Sequence, residues 1–450
     1  MAGAGARPYM SVAFVGPQGC GKTTALARIC QQLGAFPSEE HDQLAALARA
    51  LGRPAAQHGW MLDRLPVERA SGESVVSSLQ SFSSQAFQFT ALDTPGHQRL
   101  TGNMLCALAL ADAAVLLVSA AEGEWEQALD SGRARELALD CFTMGVKNIV
   151  VWVTKMDDWS VQFAAPRFEE IKKEMNAFLK EVGYKQKDVP FVPITGLSGD
   201  NLTSKSSEME WYTGPLAVES LDAVGPINRP AEKPLRLPVL KVHNVPEVGT
   251  VVVGRVETGS IRPGIKVIFS PSGLVAEVKS VQSPDGRTLT EGKGGEIVGV
   301  CLGGVEASEI KRGMVISGTN DPAADAETLL VQVVVLDHPG EIRAGYCPTI
   351  AVHTTQVPCE FEELISKIDR KTGKECEANP VSAKSGDVIM VKMRPRGLVC
   401  LEAFSAYPSL GRFAIRDNGR TIGVGIIKEV TKRPVPKPRS KEGDNQYFEG

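Results

Sequence analysis

Residues Gly16 to Thr23 read GPQGCGKT and stand directly behind the apolar run Val12–Ala13–Phe14–Val15. A buried strand turning through such a loop into a helix wraps a polyphosphate. Gly16, Gly19 and Gly21 let backbone N–H groups approach phosphate oxygens, and the helix opening near Lys22 points its positive end at the same anion. Lys22 adds a movable charge, Thr23 offers a hydroxyl to Mg2+, and Thr24 completes the phosphate-side set. Cys20 reads as a small residue that lends its backbone rather than a nucleophile.

Three further segments each follow an apolar strand. Phe89–Leu92 leads into DTPGH, Asp93 to His97. An aspartate there can hold Mg2+ through water opposite Thr23, and the N–H of Gly96 can sense a γ-phosphate. His97 is placed to orient an attacking water; the plainer alternative is a histidine packed beside the switch. Val150–Val153 leads into TKMD, where Asp157 can accept hydrogen bonds from guanine N1–H and its exocyclic amine, and Lys155 can lay its aliphatic stem along the base. Phe191–Ile194 leads into TGLSGDN, where Thr195, Gly196 and Leu197 are positioned to offer backbone donors to the base O6. In this order the segments describe a GTP-binding switch.

Strands alternating with helix-like stretches from Val12 to about Ile194 predict a doubly wound α/β domain, with Phe87–Leu92, Ala113–Ser119 and Asn148–Val153 as parallel strands and Arg167–Val182 as a helix. After the proline-rich NRPAEKPLRLP the texture becomes short, β-branched and alternating, broken by ETG, RPG, SPSG and SPDG turns. Two antiparallel β-barrels follow, since closure removes the edges that so many short strands would expose. The expected layout is a phosphate-loop GTP-binding domain over 8–228, barrels over 235–325 and 328–432, and a polar, flexible tail over 433–450.

At 450 residues, 43% hydrophobic, with 49 Lys+Arg against 53 Asp+Glu, the chain has no overall basic field, so a nucleic-acid role must rest on a local patch. No run reaches membrane-span length and MAGAGARPYM lacks a signal-peptide core, so a cytoplasmic protein without a membrane partner is expected. The 9 cysteines show no CxxC spacing and suggest neither a disulfide framework nor a zinc site.

The segments DTPGHQRLTGNM, MGVKNIVVWVTKMDD, VPFVPITGLSGDNL, GTVVVGRVETGSIRPG, LDHPGEIRAGYCP and YPSLGRFAIRDNGRTIGVGIIKEV resemble eukaryotic and archaeal elongation factor 1-alpha over nearly the whole chain. The resemblance implies a GTPase that takes GTP/GDP and Mg2+, carries aminoacyl-tRNA to the ribosome and meets a guanine-nucleotide exchange factor. It makes His97, with Lys22, catalytic. It brings the barrel carrying GTVVVGRVETG to the aminoacylated end of tRNA and the last barrel to the acceptor and T stems, where Arg412, Arg416, Arg420, Lys428 and Lys432 are candidate phosphate partners.

Departures fall at the chemistry. Thr154 stands where the family has Asn, Gly19 where it has an acid, and Leu197 where a tryptophan usually flanks the base. DRLPVERASGESVV aligns with the first switch, so that Ser74 takes the place of the metal-binding threonine and Glu73 that of an apolar neighbour gating the water. Impaired hydrolysis is expected. The competing reading is a diverged paralogue that keeps the scaffold and acts as a binding or structural protein, with actin, microtubules or a ribosome-associated assembly as partners.

Overall fold

Strand β1 (Tyr9–Val15) is buried along nearly its whole length and enters helix α1 (Lys22–Gln32) through the glycine-rich loop. In α1 the buried residues Lys22, Ala25, Leu26, Ile29 and Cys30 recur at helical spacing and turn one face to the sheet. The remaining elements of this part are α2 (Ser38–Ala50), α3 (Pro66–Ser71), β2 (Ser78–Ser83), β3 (Gln88–Asp93), α4 (Thr101–Leu108), β4 (Ala113–Ser119), α5 (Glu124–Asp130), α6 (Arg133–Thr143), β5 (Asn148–Thr154), α7 (Ala165–Val182), β6 (Phe191–Pro193) and α8 (Ala217–Asp222). This computed structural model describes residues 7–185, 189–227, 229, 232–246, 248–336, 338–369 and 372–434. The tail expected over 433–450 lies outside them from residue 435 onward.

The sheet order is β2-β3-β1-β4-β5-β6, parallel except for β2 at the edge. The chain passes from β1 outward to β3 on one side and to β4 on the other, so β1 ends at the point where strand order reverses and ligands bind such sheets. Register brings the chemistry together at one edge: Phe14 lies beside Asp93, Val15 beside Leu116 and Ser119 beside Thr154. Edge-to-face packing of Phe14 on Trp152, 5.5 Å between ring centres, ties β1 to β5 beneath that edge. The antiparallel β2 was not anticipated, because the serine-rich SLQSFS carries little strand signal of its own.

The chain divides into two compact units, Met1–Phe142 with Val146–Ile227, and Thr143–Gly145 with Asn228–Gly450. In the second unit, β7 (Arg236–Val245), β8 (Gly249–Arg255), β10 (Lys266–Ser270), β11 (Leu274–Gln282), β12 (Thr288–Leu289), β14 (Ile297–Gly303) and β15 (Val315–Gly318) build the sheet of the first barrel, and β9 (Ser260–Ile261) pairs with β13 (Gly292–Lys293) as a separate two-stranded ribbon. The barrel's six-strand circuit β10-β15-β7-β8-β14-β11 closes where β10 pairs with β11. The second barrel consists of β16 (Ala326–Val335), β17 (Thr349–Val352), β18 (Thr355–Ile368), β19 (Glu375–Ala378), β20 (Val388–Pro395), β21 (Arg412–Asp417) and β22 (Arg420–Lys432), and closes through β17 and β18. Alternating burial along β8 and β16 fills each interior with β-branched side chains.

The barrels are joined by buried polar contacts. Arg236, 2% exposed, meets Asp321 at 3.1 Å and Glu402 at 3.5 Å and lies over the Tyr407 ring. At the tip of the β17–β18 hairpin, Thr354 Oγ1 donates to Val239 O (2.7 Å), while His353 Nε2 meets Cys400 O at 3.2 Å. Burial lowers His353 from its ordinary value to about 4. Protonation therefore favours the unfolded chain: the stability this group contributes is whole above pH 6.5 and is lost as pH falls toward 4, by about 3 kcal/mol. Urea unfolding across that range should show the slope in the wild type and a shallower one in His353→Gln; equal slopes would contradict the assignment.

Candidate nucleotide site

Gly21, at φ 91°, caps α1 in the left-handed region with no side chain over the helix start, leaving the first N–H groups open to an anion. Lys22 is 6% exposed, and its Nζ donates to Gly16 O (3.0 Å) and Pro17 O (2.9 Å). Cys20 is buried, its Sγ 3.8 Å from that ammonium, and burial pushes the thiol up, which fits a backbone role rather than a nucleophilic one. Cys20 O accepts from Thr154 Oγ1 at 2.6 Å, and Val118 O lies 3.2 Å from the same hydroxyl. Thr154 thus braces the phosphate loop from β5, its side chain buried behind the loop.

A chain of oxygens runs beside the loop. Thr23 Oγ1 donates to Asp93 Oδ2 (2.8 Å) and lies 3.1 Å from Ser74 Oγ, which donates to Asp63 Oδ1 at 2.9 Å. Asp93 Oδ1 is buried without a hydrogen-bond partner among the described residues. Burial raises Asp93 to about 7 and Asp63 to about 6. Hydroxyl and carboxylate oxygens around an unspent buried carboxylate oxygen suit a hard divalent cation, whose charge repays the desolvation of both acids. Asp63 escaped the sequence reading: it opens DRLPVERASGESVV, but no motif spacing singles it out.

Two connected hollows flank the loop, sharing Gly19, Gly21, Thr24 and Ala55. The first, about 260 Å³, is lined by Gln18, Lys22, Thr23, Asp63, Glu73, Ser74, Gly96 and His97 among others. Gly96 presses on the loop so closely that a Cβ there would lie 2.6 Å from Lys22 Nζ and 2.9 Å from Gln18 N. His97 is half-buried and caps the turn at 98–100, its Nδ1 accepting from Arg99 N at 3.1 Å. Glu73 Oε1 accepts from Gln18 Nε2, and Glu73 lines the hollow, so the carboxylate expected on that side stands there.

The second hollow, about 500 Å³, is walled by Thr154, Lys155, Asp157, Asp158, Trp159, Gly196 and Leu197. Lys155, at φ 57°, sends its ammonium to Glu124 (2.6 and 2.7 Å), which stretches the stem along one side. Partial desolvation, with Asp200 and Asp158 nearby, raises the Asp157 carboxyl above its ordinary value. Thr195 corrects the sequence reading. It is fully buried, its N–H donates to Asp200 O (3.3 Å) and its hydroxyl to Asp200 Oδ2 (2.8 Å), so it folds the loop, while Gly196 and Leu197 reach the wall.

The basic face expected on the last barrel is also smaller than the sequence suggested. Arg416 is 8% exposed and spends its guanidinium on Thr421 Oγ1 (2.8 Å) and Gly419 O within its own hairpin. Lys432 pairs with the buried Glu402 at 2.7 Å. Arg412 lies over the Phe404 ring, 5.2 Å from its centre, and Arg420 and Lys428 are exposed.

Three family models match: the elongation factor Tu GTP binding domain over residues 7–252, elongation factor Tu domain 2 over 249–317, and the GTP-eEF1A C-terminal domain-like model over 328–428. Elongation factor 1-alpha of Tetrahymena pyriformis is 40% identical over 431 residues, 95% of this chain and 99% of that protein. The protein of the same name from Coccidioides immitis (strain RS) is 40% identical over 440 residues, 95% of each. The S. cerevisiae Ski7 GTPase-like domain, solved bound to GTP, shares the fold with a TM-score of 0.77 at 17% identity, over 94% of this chain and 97% of its own. Among the described residues no helix is long and apolar enough to cross a membrane.

Proposed function

Because the chain belongs to the elongation factor 1-alpha family of translational GTPases, we propose that it binds GTP and GDP with Mg2+ and delivers aminoacyl-tRNA to the ribosomal A site under control of that nucleotide. The observation that carries this reading is the pair of hollows joined across the phosphate loop, one walled by the oxygens around Thr23 and the other by Asp157. Phosphates lie on the loop N–H groups and the start of α1, and Lys22 turns from its carbonyls to their oxygens. Asp157 accepts from N1–H and the exocyclic amine of guanine, whereas adenine offers neither donor at those positions. Thr23, Ser74 and Asp93 would hold Mg2+, which supplies charge neutralisation on the phosphates. His97, on the wall of the phosphate hollow, orients the attacking water.

Glu73 disfavours the GTP form. A carboxylate beside the γ-phosphate subsite costs GTP roughly 1–2 kcal/mol relative to GDP, about tenfold in relative affinity. Glu73→Gln keeps the shape and removes the charge, so it should raise the GTP-to-GDP affinity ratio by about that factor; an unchanged ratio would show that Glu73 does not face the phosphate. The same residue, together with the shortened Thr154, supports a second reading: a paralogue that retains nucleotide and serves as a binding protein, with a cytoskeletal or ribosome-associated partner.

Charged tRNA separates the two. The carrier retains aminoacyl-tRNA in its GTP form and loses it steeply as salt rises, through phosphate contacts that include Arg412, Arg420 and Lys428. Failure to retain it at any salt, while GTP stays bound, would favour the scaffold.

A further inference from the structure

Trp159 is 81% exposed, in contrast to the buried Trp60, Trp125 and Trp152. Among the described residues its ring stacks on no other ring and its Nε1 makes no hydrogen bond, while Trp211 donates to Phe163 O at 2.9 Å. The backbone beneath it is nonetheless fixed. Asp158 Oδ1 accepts from Ser160 N (2.9 Å) and Ser160 Oγ (2.6 Å), Ser160 Oγ accepts from Glu122 N (3.0 Å), and Val161 N and Gln162 N both donate to Asp158 O at 2.9 Å. A rigid turn therefore holds a large bare indole on the wall of the 500 Å³ hollow, near Asp157 and with the aliphatic Leu197 also on that wall. Leaving so much aromatic surface in water is unfavourable unless a partner covers it, and the hollow it borders suits a flat ring whose edge meets a carboxylate.

We infer that Trp159 is the stacking platform for the purine base, an inference that rests on the nucleotide reading above. Stacking recognises the π-face, so Trp159 sets affinity for the whole base, whereas Asp157 reads its edge. The turn anchored by Ser160 fixes the backbone that carries the indole, so the ordering left to the arriving base is that of the side chain alone.

Calorimetric titration of the full chain with Mg2+ and GDP, alongside IDP, which lacks the exocyclic amine, tests this. Trp159→Ala should weaken both nucleotides by roughly 5- to 150-fold, leave the GDP-to-IDP ratio unchanged, and recover most of the affinity as Trp159→Phe. GDP should also change the intrinsic tryptophan emission of the wild type, and Trp159→Phe should bind GDP with a smaller change, the remainder coming from Trp60 on the wall of the phosphate hollow. Wild-type binding of GDP with an undiminished affinity in Trp159→Ala, or an emission change of undiminished size in Trp159→Phe, would overturn the stacking role and leave the nucleotide reading intact. Failure of the wild type to bind any guanine nucleotide would overturn both.

Discussion

Replacing Asp157 by asparagine should turn a guanine site into a xanthine site. The carboxylate at the wall of the base hollow offers only acceptors, matched to guanine N1–H and its exocyclic amine. Asparagine keeps one acceptor and turns an NH2 toward the amine, where donor meets donor; xanthine carries an oxygen at that position and accepts from it. Losing a charge-assisted hydrogen bond and gaining a mismatched pair costs about 3–4 kcal/mol, so GDP affinity should fall roughly 100- to 1,000-fold while XDP affinity rises. Competition between GDP and XDP for the purified variant reads this directly. If the two nucleotides rank as they do in the wild type, Asp157 does not contact the base.

Lys22→Met should remove nearly all nucleotide affinity without unfolding the domain. In this structure Lys22 Nζ holds the carbonyls of Gly16 and Pro17 at 3.0 and 2.9 Å, under cover of the loop. A phosphate group competes for that ammonium and wins on charge, the carbonyls exchanging one partner for water or loop N–H groups. Methionine matches the length and apolar stem but supplies no charge and no donors, so the phosphates lose their charge-assisted bonds, about 3–4 kcal/mol or roughly 100- to 1,000-fold in Kd. Thermal unfolding without nucleotide should stay cooperative and lose no more than the roughly 1–3 kcal/mol that the orphaned carbonyls cost, which separates lost binding from lost fold. A variant that binds GDP within threefold of the wild type would mean that the phosphates lie elsewhere.

Much of this was legible in the sequence, for reasons that differ from element to element. GPQGCGKT and DTPGH were readable because their chemistry is set by backbone geometry and spacing, which local sequence dictates. Both barrels were readable because alternating β-branched runs broken by glycine turns make many short strands, whose exposed edges closure removes. What local sequence could not give was reach. Asp63 meets Ser74 only because α3 folds the first-switch segment back on itself, and nothing in DRLPVERASGESVV states that. Thr195 belonged to a recognisable segment, yet the direction of its N–H depends on how the loop closes onto Asp200. Arg416 and Lys432 sat in a basic stretch, but Thr421 and Glu402 claim them once the strands pair. Trp159 carried no motif, and its exposure beside the base hollow emerges only in three dimensions.

Titration of the 450-residue chain with GDP and with ADP, each with Mg2+ and each without, is decisive for a guanine nucleotide spanning both hollows. GDP should bind tightly with Mg2+ and more weakly after its removal, and ADP should bind at least about 100-fold more weakly than GDP. Equal affinity for the two bases, or no binding of either, would contradict it.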